Sequence, residues 1–239
     1  MSTLAIFGYG PGLGAGTAQH FGRNGFRIAV IGRDAARAAE RAAALRAEGI
    51  EVEPFAADIA DPAQLTEVIG SVEEKLGPID VALHAAAADM SVRRPSTLDV
   101  DQESLDVPFA LKLYSSINLT RALAPAMIAR GNGTLLFSSG ASEEHLQPYL
   151  ANMGVALGAQ RAYIRQVAAE LDGTGVYVGL LAIGSLIEHS AAQRIVDANP
   201  DLIPPGLVLP RVDNAELGAH LWRMYTERDT VEVEVGFAS

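Results

Sequence analysis

Glycines stand at positions 8, 10, 12, 14 and 16, directly after the apolar run Leu4, Ala5, Ile6 and Phe7. An apolar run without a turn residue reads as a buried parallel strand, and Leu13, Ala15, Thr17, Ala18 and Phe21 read as the start of an amphipathic helix. A strand that passes through glycines into a helix offers unpaired N–H groups and the positive end of a helix dipole, and it lets backbone approach a ligand closely. The chemistry this suits is the holding of a pyrophosphate. The same glycines also serve a tight strand-to-helix turn that binds nothing, so both readings stand at this point.

The elements that must position this run follow in alternation. Phe26 to Ile31 reads as a second strand, and Asp34 to Glu48 as an alanine-rich helix capped by Asp34 and closed by Gly49. Glu51 to Ala57 is a third strand leading to Asp58; a helix from Asp61 with Pro62 in its first turn runs to Leu76; Ile79 to Leu83 is a fourth strand. Ala85 to Ser104 reads as irregular, and Leu105 to Arg130 as one long helix closed by Gly131. A fifth strand at Thr134 to Phe137, a loop from Ser138 to Pro148, a helix from Tyr149 to Leu171 and a sixth strand at Val176 to Ala182 come next. Residues 185–210 are expected to be a less regular surface insertion or a lid over the site, followed by a helix (Asn214 to Glu227) and a last strand (Val231 to Val235). Strands and helices taking turns predict an α/β, Rossmann-type doubly wound parallel sheet of about seven strands with helices on both faces. A single domain across residues 1–239 is expected.

Composition narrows the function. A formal net charge of −11 argues against an electrostatic grip on nucleic acid or on an anionic membrane. With no cysteine and five histidines that lack ligand spacing, neither a disulfide framework nor a metal site is expected. No apolar run reaches membrane-spanning length and the N-terminus shows no signal-type pattern, so a soluble, cytoplasmic protein is the expectation.

Gly8-x-x-x-Gly12-x-Gly14, Asp58 after the third strand, Ser138-Ser139 after the fifth and Gly184 after the sixth together resemble the short-chain dehydrogenase/reductase family, over nearly the whole chain. The resemblance implies an oxidoreductase acting on the carbonyl or hydroxyl of a small molecule, with NAD or NADP bound across the switch point of the sheet. It implies dinucleotide contacts at Gly8, Gly12, Leu13 and Gly14, adenine contacts at Asp58 and Ile59, cofactor contacts at His84, Ala85 and Gly184, and assembly into a homodimer or homotetramer through the two long helices. At the end of the second strand Gly32 is followed by Arg33 where NAD-preferring relatives carry a carboxylate. A guanidinium pairs a 2′-phosphate in two parallel hydrogen bonds, so NADP(H) is favoured over NAD(H).

The chain departs from the family pattern at the catalytic helix. Aligned without gaps on Val167 to Leu171, Met153 stands where the family has its Tyr and Leu157 where it has its Lys; a competing alignment takes Tyr149 as that Tyr and leaves Met153 in the Lys position. Lys112 falls where the family has an active-site Asn, with Ser115 at the following Gly; Asn118 is a weaker candidate for the missing amide. Asn-Asn-Ala-Gly becomes His84-Ala85-Ala86-Ala87, and Pro-Gly becomes Ile183-Gly184. The catalytic candidates are Ser139, to polarise a carbonyl or merely to end a strand, Tyr149 as a displaced acid, and Lys112, whose pKa burial would lower. His145 is placed in the loop over the site. A redox-neutral cyclase, dehydratase or isomerase, or a non-catalytic dinucleotide-binding protein, are the alternatives on the same fold.

Overall fold

The computed structural model describes residues 1–87, 92–140, 146–203 and 209–236. Its elements run β1 (Thr3–Phe7), α1 (Leu13–Arg23), β2 (Arg27–Gly32), α2 (Ala35–Ala47), β3 (Val52–Ala56), α3 (Pro62–Leu76), β4 (Val81–His84), α4 (Gln102–Phe109) and α5 (Ser115–Ala129). Then come β5 (Gly133–Gly140), α6 (Ala151–Glu170), β6 (Val176–Ile183), β7 (Leu186–Ile187), α7 (Ala191–Ala198), β8 (Arg211–Val212), α8 (Asn214–Glu227) and β9 (Glu232–Val235).

Seven strands form one parallel sheet in the order β3-β2-β1-β4-β5-β6-β9, and β7 and β8 pair in a separate two-stranded sheet. The expected doubly wound architecture is present. Successive residues of a strand point to opposite faces, and β1 shows the result: Leu4 and Ile6 join Phe21, Leu45 and Leu221 of α1, α2 and α8, while Ala5 and Phe7 join Leu65, Leu119 and Ile164 of α3, α5 and α6. The reversal of strand order between β1 and β4 opens a crevice at the carboxyl ends of the strands.

Local chemistry explains the boundaries. Asp34 accepts from the Arg37 amide and Asp61 from those of Ala63 and Gln64, so α2 and α3 start where their caps predict. The long helix begins three residues before its expected start, because Asp101 and Ser104 form a capping box. It is not uniform: between α4 and α5 the chain makes a π turn, Ala110–Tyr114. β5 continues through Gly140, so Ser138 and Ser139 lie in the strand, in register with Leu181 and Ala182, rather than in a loop. Pro148 opens a 3-10 turn, Pro148–Leu150, so Tyr149 precedes α6 and is not part of it.

Two features outside the crevice organise the rest. Helices α1 and α8 meet backbone to backbone, since a Cβ on Gly16 would overlap the Asn214 carbonyl and one on Gly218 would overlap that of Gly16. The edge strand β9 is held by Arg161, whose buried guanidinium reaches Glu232 at 3.0 Å and Glu234 at 3.0 Å. Among the described residues no helix is long and apolar enough to cross a membrane.

Gly16→Ala is expected to lower stability by about 1–3 kcal/mol, the usual cost of overpacking, which for a chain of this size is a drop of roughly 3–10 °C in Tm. Thermal denaturation followed by circular dichroism checks it, and an unchanged Tm would contradict the close α1–α8 contact.

Candidate functional site

A cavity of about 520 Å³ occupies the crevice, within the range of small-molecule sites. The glycine run forms its floor. Gly8 adopts φ +83°, and a Cβ there would lie 2.6 Å from the Ala86 Cα, so only glycine fits. The amides of Gly8 and Tyr9 both donate to the Ile31 carbonyl, at 3.1 and 2.8 Å, which turns the chain out of β1. No side chain caps α1 at Gly12. Ala15 and Gly16 donate to the carbonyls of Gly10 and Gly12, and a helix start leaves the earlier amides over. Those of Leu13 and Gly14 are therefore the donors offered to a ligand, and both residues line the cavity.

At the far end, Arg33 is exposed, lines the cavity and bonds to nothing among the described residues. Arg37 and Arg41 of α2 line it as well. Arg41 donates to the Tyr9 carbonyl at 2.7 Å and lies 5.7 Å from the Tyr9 ring centroid, while Arg37 is 3.4 Å from Asp34. The sequence reading named Arg33 alone; the i, i+4, i+8 spacing of 33, 37 and 41 was the signal for the other two. Asp58 lines the cavity and folds its own turn, accepting from the Ala60 amide at 3.0 Å, and the buried Ile59 lies beside it. Ala85 lines the cavity; His84 and Gly184 do not, and the Gly184 amide is bonded to the Val235 carbonyl at 2.9 Å. The segment expected as an insertion or lid reaches the cavity through Ile187, Ser190 and Ile195.

Beside the cavity lies a second, buried polar group around the ends of β4 and β5. Lys112, on the π turn, is 5 % exposed and donates to the Ser138 carbonyl at 3.1 Å. The Ser138 hydroxyl donates to the His84 carbonyl at 3.2 Å. Ser115 donates to the Leu111 carbonyl at 2.7 Å, so the 2.7 Å contact between His84 Nε2 and Ser115 Oγ requires the ring to donate from Nε2. That assignment, made from the bonding pattern, leaves His84 Nδ1 as a bare acceptor without a partner among the described residues. Ser139 Oγ is likewise buried without a partner among them. Burial lowers the Lys112 pKa to about 8. Burial, and then the Lys112 charge, lowers His84 to about 3 and keeps it neutral.

Just before the π turn, α4 carries a proline. Pro108 has no N–H to give the Ser104 carbonyl, and Asn152, fully buried at the start of α6, donates to that carbonyl at 2.8 Å instead. On the next turns of α6, Leu157 packs with its Cδ1 3.1 Å from a Cβ built on Gly140, directly after Ser139. The side chain against this end of β5 is therefore an apolar one. Tyr149 is 36 % exposed; its hydroxyl donates to Gln147 at 3.3 Å and shares no hydrogen bond with Ser139 or Lys112. His145 lies outside the described residues.

A family model described as enoyl-(acyl carrier protein) reductase matches residues 8–203. The chain belongs to the short-chain dehydrogenase/reductase family. A short chain dehydrogenase of Pseudocercospora fijiensis is 28 % identical over 187 residues, covering 77 % of this chain but only 59 % of the relative. A 2-(S)-hydroxypropyl-CoM dehydrogenase of Xanthobacter autotrophicus is 29 % identical over 203 residues, 83 % of this chain and 78 % of the relative. Among solved structures, a metagenomic short-chain oxidoreductase in complex with NADP superposes with a TM-score of 0.78 at 21 % identity, over 98 % of this chain and 96 % of the other. That likeness concerns the fold.

This short-chain dehydrogenase/reductase thus keeps the family's sheet and glycine turn, and it buries a cation where its resemblance places an asparagine. The fold also brings together Glu188, His189 and Asp213, whose ligand atoms lie within 4.8 Å of one another on the surface, a grouping that sequence spacing did not indicate.

Because the folded-state pKa of Lys112 lies below its ordinary value of 10.5, the unfolded chain binds more protons between about pH 8 and 10.5, and stability rises with pH across that window. Lys112→Met is expected to stabilise the fold at pH 7 and to lose that advantage as pH climbs through the window. Paired thermal melts of the two proteins check this; an advantage that does not vary with pH would refute the buried charge.

Proposed function

We propose that this chain is an atypical NADP(H)-dependent oxidoreductase acting on the carbonyl or hydroxyl of a small molecule. The observation that carries the reading is Arg33, without a partner among the described residues and flanked by Arg37 and Arg41, at one end of a cavity whose other wall is the glycine turn. The residues fit the cofactor: Leu13 and Gly14 amides for the pyrophosphate, Asp58 and Ile59 for the adenine, and the arginines for a 2′-phosphate. When bound, the dinucleotide supplies the hydride. The chain's own residues supply the rest. Ser139 Oγ, buried and without a partner among the described residues, is the donor to a substrate oxygen in this reading. Lys112, a buried ammonium bonded to one carbonyl, is the proton donor in this reading, with a pKa close to the operating pH. Tyr149 is the alternative acid, and substrate or water a third source.

Leu157 against Gly140 favours a second reading, in which the same pocket serves a redox-neutral reaction such as a cyclisation, dehydration or isomerisation. A homodimer or homotetramer built through α4–α5 and α6 fits the exposed apolar residues Val107, Tyr114 and Val155. A single domain and a cytoplasmic location complete the proposal. Light scattering at the monomer mass would oppose the assembly.

Arg33→Asp is expected to weaken NADPH binding by about ten- to a hundredfold, the worth of a charge-assisted pair, while leaving NADH within about threefold. Fluorescence titration with both nucleotides checks it, and equal losses would refute the phosphate assignment. In assays over a carbonyl panel, Ser139→Ala should cut kcat by about a hundredfold or more with little change in cofactor affinity. Tight NADPH binding with no turnover by the unmodified enzyme would favour the redox-neutral reading.

A further inference from the structure

We infer that Asn214, the first residue of α8, is a positioning residue that aims the glycine turn's amides into the cavity; the inference rests on the cofactor reading above. Its Nδ2 lies 3.3 Å from the Pro11 carbonyl and 3.4 Å from the Gly12 carbonyl, so one side-chain amide donates to two successive peptide groups. A trans peptide is planar, with its C=O and N–H pointing in opposite directions. Drawing the Pro11 and Gly12 carbonyls toward α8 therefore turns the N–H groups of Gly12 and Leu13 the other way. Leu13 and Gly12 both line the cavity. Without a donor at 214, the Pro11–Gly12 peptide loses the side-chain bond that orients it and has a glycine on its C-terminal side, while the Gly12 carbonyl keeps only its bond from the Gly16 amide.

Asn214 is itself fixed from several sides. Its backbone carbonyl lies in the space that the missing Cβ of Gly16 leaves, and the preceding Asp213 caps α8 by accepting from the Ala215 amide at 2.7 Å. The turn is held from the opposite side too, where a Cβ on Gly12 would lie 2.9 Å from the Ser190 Cβ and 3.1 Å from Ile187 Cγ2. Strand β8, which leads into Asn214, pairs with β7, which leads into Ser190. The two walls of the glycine turn are thus joined behind it. The residue at 214 must carry an N–H donor at amide reach, which aspartate lacks when ionised and regains as an O–H when protonated.

The test uses the full chain and NADP+, with binding read by calorimetry and by quenching of Trp222, the one tryptophan. Asn214→Ala is expected to weaken NADP+ by about tenfold, the worth of a shared hydrogen bond and the freedom it removes, with the ligand-free Tm nearly unchanged. Asn214→Asp, the same size but ionised and without a donor, is expected to bind at least as poorly at pH 7.5, and Asn214→Gln, which keeps the amide, to bind within about threefold of the unmodified protein. The Asp and Gln variants decide the matter even if Asn214→Ala does not fold. Binding by Asn214→Ala or Asn214→Asp within twofold of the unmodified protein, or by Asn214→Gln as weak as Asn214→Asp, would overturn the inference. Failure of the unmodified protein to bind NADP+ at millimolar concentration would overturn the cofactor reading and the inference with it.

Discussion

The structure depends on one backbone constraint, the turn at Gly8. The chain leaves β1 with a positive φ, passes so close to Ala86 that no side chain fits, and gives two consecutive amides to the Ile31 carbonyl. Those contacts bind the ends of β1, β2 and β4 into a single corner. The direction of α1 follows from that corner, and with it the seat of α8 against Gly16. An L-residue at this corner would carry the left-handed strain and the collision together.

The second half of the crevice obeys a different balance. A lysine taken out of water with a single carbonyl to bond is costly, and folded proteins seldom keep such a group without a use for it. Its ammonium helps hold His84 neutral, and the hydroxyls of Ser115, Ser116 and Ser138 carry bonds through the same region. Aligned without gaps, the resemblance puts a tyrosine and a lysine of α6 where this chain has Met153 and Leu157.

Much of this was legible in the chain itself. Strict alternation of apolar runs with helical patterns fixed the parallel sheet, and Asp34 and Asp61 marked helix starts because an exposed carboxylate before a helix has a specific use there. Ser138 and Ser139 read as a loop because small polar residues suit loops; only pairing with Leu181 and Ala182 on a neighbouring strand makes them sheet. Tyr149 read as helical, since nothing local shows that Pro148 opens a separate turn. The bare Nδ1 of His84 and the unbonded hydroxyl of Ser139 depend on what every neighbour does, and no pattern of residue types encodes that. The two-residue strands β7 and β8 are too short to leave any periodicity.

The π turn at Ala110–Tyr114 amounts to one residue more than a regular helix would need to join the same two ends. It decouples the faces of α4 and α5, so that the two helices keep independent registers along one continuous rod. Each residue of a helix advances the azimuth by about 100°. One residue fewer in this turn would rotate the two helices against each other by that angle, and with them the Lys112 ammonium away from the Ser138 carbonyl.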